Sequence, residues 1–152
     1  MKIKKTERGQ SLVELAISIT ILIYLLSGAV EFGIAFFQFV QLRDAVQEGA
    51  LYGSLNPADG SGVEARVRGA SSSPIDLNDT ATVLVDVIAT DKTTGNPKAL
   101  NVACVGDGLT VTVSFDHQIF MPVIPQLIGR PEIPLVATVT DTILNSVATG
   151  CP

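Results

Sequence analysis

Residues 9–39 read GQSLVELAISITILIYLLSGAVEFGIAFFQF, and how this stretch is understood decides the fold. From Leu15 to Phe39 it holds fourteen Leu, Ile, Val or Phe residues and no proline. On an insertion scale these side chains favour the bilayer by about 4–8 kcal/mol together. One mid-membrane carboxylate, Glu31, opposes them by on the order of 3 kcal/mol, so insertion wins. At 1.5 Å per residue the segment reaches about 37 Å, enough to cross the hydrocarbon with some tilt. The expected membrane span is therefore 15–39. A cleaved secretory signal fits poorly, because the apolar run is too long and no A-x-A site follows it. A buried helix of a soluble protein fits worse, since the rest of the chain offers too little surface to wrap it.

The periodicity does not stop at the membrane. Apolar residues recur at Phe39, Leu42, Ala45, Val46, Ala50 and Leu51 with a spacing close to 3.6, while Gln41, Arg43, Asp44, Gln47 and Glu48 occupy the other faces. SLNPADGSG then ends the helix with proline and glycine. One helix over 10–55 is expected, membranous first and amphipathic afterwards. Its outer half needs a surface to lie on.

Charge divides the chain at the same place. Lys2, Lys4, Lys5 and Arg8 stand against Glu7 in the first nine residues, whereas the remainder has six basic and fourteen acidic side chains. An acidic folded part argues against nucleic-acid binding, which needs a basic stripe there. Basic residues ahead of an apolar run hold that end on the cytoplasmic side, so the bulk of the chain is expected outside. The two cysteines, Cys104 and Cys151, lie beyond the span, where a disulfide is permitted. A bridge would close a loop of about 46 residues and contribute roughly 4 kcal/mol. Two unpaired buried thiols are the alternative, and the wide spacing offers no zinc motif.

RGQSLVEL resembles the prepilin-peptidase site of type IV pilins: a short basic leader, a glycine, then a glutamate at the fifth position after it. VEFGIAFF, QEGALYG and the segment LTVTVSFDHQIFMPVIPQLIGRPEIPLVATVT are similar to blocks of the TadE-like family of pilin-related proteins of tight-adherence pili. The resemblance implies a leader over 1–9, cleaved by a prepilin peptidase between Gly9 and Gln10. It implies that Glu14 neutralises the new α-amino group of a neighbouring subunit, which makes it an assembly and registry group. An unpaired charge in lipid is costly, so that pairing rewards docking in register. Glu31 lies 17 residues further on, about 100° round the helix from Glu14. It is expected either to contact another subunit or protein, as a second assembly group, or to sit among headgroups if the membrane ends near Gly28.

Beyond the helix, residues 56–152 read as an extracytoplasmic antiparallel β domain. LTVTVSF alternates Leu109, Val111, Val113 and Phe115 against Thr110, Thr112 and Ser114; LVATVTDT alternates Leu135, Ala137 and Val139 against Val136, Thr138 and Thr140. ATVLVDVIA, apolar on both faces apart from Asp86, suits a central strand, and a further strand is expected around 99–103. DKTTGNP and VGDG supply turns, and VEARVRGA one or two helical turns. The apolar face of this sheet needs a cover and the amphipathic helix needs a floor. The fold class is thus α+β, a long N-terminal helix packed on a small antiparallel sheet, as in pilins.

Between the last strands, Phe120, Met121, Val123, Ile124, Leu127 and Ile128 are interrupted by prolines. This connection reads either as an interaction surface, for another subunit or the membrane, or as part of the core. Searches for chemistry return nothing. His117 is the only histidine and has no nucleophile–base set around it. Asp76, Asn78 and Asp79 lack the glycine and terminal glutamate of a calcium loop, and Asn78-Asp79-Thr80 matches only the short glycosylation pattern. No metal, cofactor or small-molecule substrate is expected, and no enzymatic activity. The expected function is structural: a single-pass protein of the cytoplasmic membrane that joins other pilin subunits and becomes extracellular in a pilus. The alternative is an accessory or ligand-binding protein that stays in the bilayer with its leader attached.

Overall fold

The computed structural model describes residues 7–122, 124–145 and 151. Its first element is a single helix, α1 (Glu7–Leu55), of 49 residues and about 73 Å. It is followed by α2 (Gly60–Gly69), β1 (Val83–Thr90), β2 (Pro97–Lys98), β3 (Gly108–Gln118), the short α3 (Ile124–Ile128) and β4 (Glu132–Thr142). The strands form one antiparallel sheet in the order β2-β1-β3-β4. This is the α+β architecture expected, a long apolar helix lying on a four-stranded sheet.

Alternation sets the two faces of the sheet. Leu109, Val111, Val113 and Ala137 of β3 and β4 are buried on the side that α1 covers, and Val83 and Ala89 of β1 join the same core where α2 packs, with Val85, Val87, Phe115, Leu135 and Val139 half-buried beside them. The other face is largely polar, and its threonines pair across strands: Thr110 with Thr140 at 2.8 Å and Thr112 with Thr138 at 3.1 Å. From α1 the core receives Leu42, Ala45, Val46 and Ala50. Leu51, expected on that stripe, is exposed instead, because the helix turns it outward. β1 lies inside the sheet, between β2 and β3, as expected for an inner strand, although β2 covers it only at Ala89 and Thr90. One further departure concerns the strands. The strand expected at 99–103 is displaced to Pro97–Lys98, and a 3-10 turn occupies Leu100–Val102. DKTTGNP spends its length on a turn closed by Asp91 N–H to the Asn96 carbonyl, which leaves only two residues to pair.

α2 closes the open side of α1. Asp59 caps it, accepting from the Gly62 N–H at 2.9 Å and from the Tyr52 hydroxyl at 2.8 Å. Val63 and Val67 of α2 are fully buried against α1. They approach so closely because Gly49 and Gly53 carry no side chain: a Cβ on Gly49 would strike Val67, and one on Gly53 would strike Leu109 and Val63. The glycines of QEGALYG therefore mark where α1 meets both α2 and β3. Gly53→Val should cost about 1–3 kcal/mol by overpacking, read as a lowered unfolding midpoint. Gly69→Ala, which meets only open space, should cause no such loss.

Candidate functional site

Two parts of α1 carry the candidate site, separated by the point where the domain begins. From Gly9 to Leu26 every side chain is exposed; Ser27 and Gly28 are half-buried, and Glu31 is buried. The domain thus begins to cover the helix at Ser27, about halfway along the expected span of 15–39. The helix free on all sides, residues 9–26, is about 27 Å long, close to the thickness of a bilayer's hydrocarbon. One such apolar helix supports a single membrane-spanning topology.

Gly9, Gln10 and Glu14 lie on this bare portion, all exposed and all helical. Among the described residues none forms a hydrogen bond or ion pair with Glu14. Residues 1–6 of the expected leader lie outside the described residues.

Glu31 is differently placed. Its Oε1 accepts a hydrogen bond from His117 Nε2 at 2.9 Å and another from the backbone N–H of Phe120 at 3.1 Å. The second ring nitrogen of His117 faces Gln38 Oε1 at 2.6 Å. Glu31 and Gln38 are two turns apart on one face of α1, so both reach the inward end of β3. Each ring nitrogen of His117 thus has a polar partner on α1. Glu31, expected either to contact another protein or to sit among headgroups, has hydrogen-bond partners within its own chain. His117, for which sequence offered no role, is one of the largest fully buried side chains. One signal was available: continuing Leu109, Val111, Val113, Phe115 by one more step of two puts His117 on the inward face.

Removing the carboxylate leaves buried donors unmatched. Glu31→Ala should cost about 1–3 kcal/mol and speed hydrogen exchange at the Phe120 amide. An unchanged exchange rate there would show that the cluster does not hold the β3–β4 connection.

In that connection Phe120 and Ile128 are exposed, and Met121 and Ile124 half-buried. Val123 and the side chain of Leu127 lie outside what is described. At the opposite end of the domain Cys104 and Cys151 form a disulfide with Cα atoms 5.5 Å apart. Beside it Asp107, 1% exposed, accepts from the N–H groups of Cys104 and Lys92 and from the Lys98 ammonium at 2.8 Å. Burial pushes the Asp107 carboxyl up, but Lys98 and the two N–H groups outweigh it and hold it below the usual carboxylate range. Asp91, bonded to the N–H groups of Thr94 and Thr93 and to Lys98, is held far below that range.

Among the described residues no group of three or more His, Cys, Asp or Glu side chains could hold a metal ion. A bare apolar helix continuous with an antiparallel domain defines a pilin-like, single-pass protein class. Residues 9–51, somewhat over a quarter of the chain, match the family model described as TadE-like protein. The match covers the bare helix, Glu31, Gln38 and the Gly49 crossing. This segment, on a long apolar helix, is consistent with a membrane-associated protein. No curated protein and no solved structure shows significant similarity to the chain.

Proposed function

We propose that the chain is a pilin or pseudopilin that is cleaved after Gly9 by a prepilin peptidase and assembles into, or primes, a Tad or type IV-like pilus through α1. The observation that carries this reading is the back of the helix. On the side away from the domain, Phe32, Phe36, Phe37 and Val40 are exposed, continuing the apolar surface beyond Glu31. From Gly9 to Val40 that surface runs about 46 Å, against about 30 Å of hydrocarbon. Covering it with lipid alone needs a tilt of roughly 50°, beyond the usual range for membrane helices. Helices of neighbouring subunits cover it without tilt. The domain lies outside the cytoplasmic membrane in this reading, with the basic end of the chain inside.

A photoreactive amino acid at Phe36 tests the proposal in cells that make the pilus. Adducts between this chain and a second copy, or a related pilin, are expected in the filament fraction. Adducts to lipid alone would favour the alternative, a bilayer-resident accessory protein.

A further inference from the structure

We propose that the β3–β4 connection, through Phe120, Ile128 and Arg130, is a foot that rests in the headgroup region of the same bilayer that α1 crosses. Its height is fixed by the Phe120 N–H bond to Glu31 Oε1. Glu31 is 22 residues beyond Gly9, about 33 Å along the helix, where a bilayer of about 30 Å hydrocarbon thickness gives way to headgroups. The half-buried Ser27 and Gly28 place the lower limit of the domain about 5 Å below that level.

The chemistry of the connection suits that boundary. Phe120 is 74% exposed and Ile128 44%, two large apolar side chains left uncovered by the rest of the chain. Arg130, exposed, is the only charged residue between Ile119 and Pro131, and its guanidinium matches lipid phosphate. Backbone polarity is also reduced. Pro122, Pro125 and Pro131 have no N–H to leave unmatched; Ile119 N–H donates to the Pro131 carbonyl and Gly129 N–H to that of Pro125. A loop of this kind loses less than an ordinary one on leaving water, and its aromatic and aliphatic side chains gain. Lipid is the occupant because the surface is continuous with the bare part of α1, whose own solvent is lipid. The Glu31–His117–Gln38 cluster then has a purpose: it pins the foot to the helix at the depth where the membrane ends.

The inference rests on α1 crossing a bilayer and not on filament assembly, and the test separates the two. The protein contains no tryptophan, so single substitutions report position without background. The full-length chain is reconstituted in phosphatidylcholine–phosphatidylglycerol vesicles with Leu22→Trp, Phe120→Trp, Ile128→Trp or Ile88→Trp, and quenching by brominated lipids is measured. Leu22→Trp, on the bare helix, verifies insertion, and Ile88→Trp, on the outer sheet face toward the distal end, should be unquenched. Phe120→Trp and Ile128→Trp should be quenched several-fold more than Ile88→Trp, with blue-shifted emission. Quenching of Leu22→Trp alone overturns the foot. So does protection of the two loop probes that appears only as protein is crowded in the vesicle, which would make a second copy the occupant.

Discussion

A Glu14→Ala variant should enter the membrane as well as the parent and yield filaments reduced by about tenfold or more. Both halves follow from one carboxylate. Glu14 is exposed on the bare part of α1 with no partner among the described residues. In lipid such a group costs on the order of 3 kcal/mol, so alanine makes insertion easier. Assembly loses the reward of bringing that carboxylate to the α-amino group of Gln10 on a neighbour. Even 1.4 kcal/mol of that pairing amounts to a factor of ten in association. Membrane fractionation and the yield of sheared filaments measure the two effects separately. Glu14→Gln, similar in size, should behave as the alanine variant does. Parental filament yield from either would remove the registry role.

The second large effect concerns the far end of the domain. Replacing Cys104 or Cys151 with serine should lower stability by about 2–4 kcal/mol, because 47 residues of separation are no longer closed into a loop in the unfolded chain. For a domain of this size that corresponds to a melting point lower by roughly 10–30 °C. The bridge also fastens the end of the chain to the turn after β2, where Asp107 already gathers Lys98, Lys92 N–H and Cys104 N–H. Asp107 needs those donors in place, so the loss should spread from the bridge to this buried carboxylate. Melting the full-length protein in detergent, oxidised and reduced, reads the effect. An oxidised parent and a Cys151→Ser variant with the same midpoint would show that the bridge contributes nothing.

The large-scale plan was legible because two unpaired surfaces, the amphipathic half of α1 and the inward rows of β3 and β4, had only each other to cover them. Period two in LTVTVSF and LVATVTDT placed those strands correctly, face included. What failed was local or depended on distance. Leu51 fits a 3.6 period yet faces solvent, since the periodic stripe is broader than the contact. The strand order could not be read, because alternation says which way a residue points and not which strand lies beside it. β1, apolar on both faces apart from Asp86, lies between β2 and β3, but β2 covers it only at Ala89 and Thr90. At the site, Gly9, Gln10 and Glu14 stood out because a peptidase motif is contiguous. Glu31, Gln38 and His117 form a cluster spanning more than 80 residues of sequence, and no local pattern joins them. Glu31 was visible as an anomaly in an apolar run, but its partner lay on a strand whose alternation had been followed one step too few.

The central claim is that α1, freed of its basic cap, is more stable beside other pilin helices than alone in lipid. Mass spectrometry of this chain recovered from sheared surface filaments of its own cells tests that most directly. The account predicts a polypeptide beginning at Gln10 in the filament fraction. A chain beginning at Met1 while the peptidase is active, confined to the membrane and absent from filaments, would contradict it.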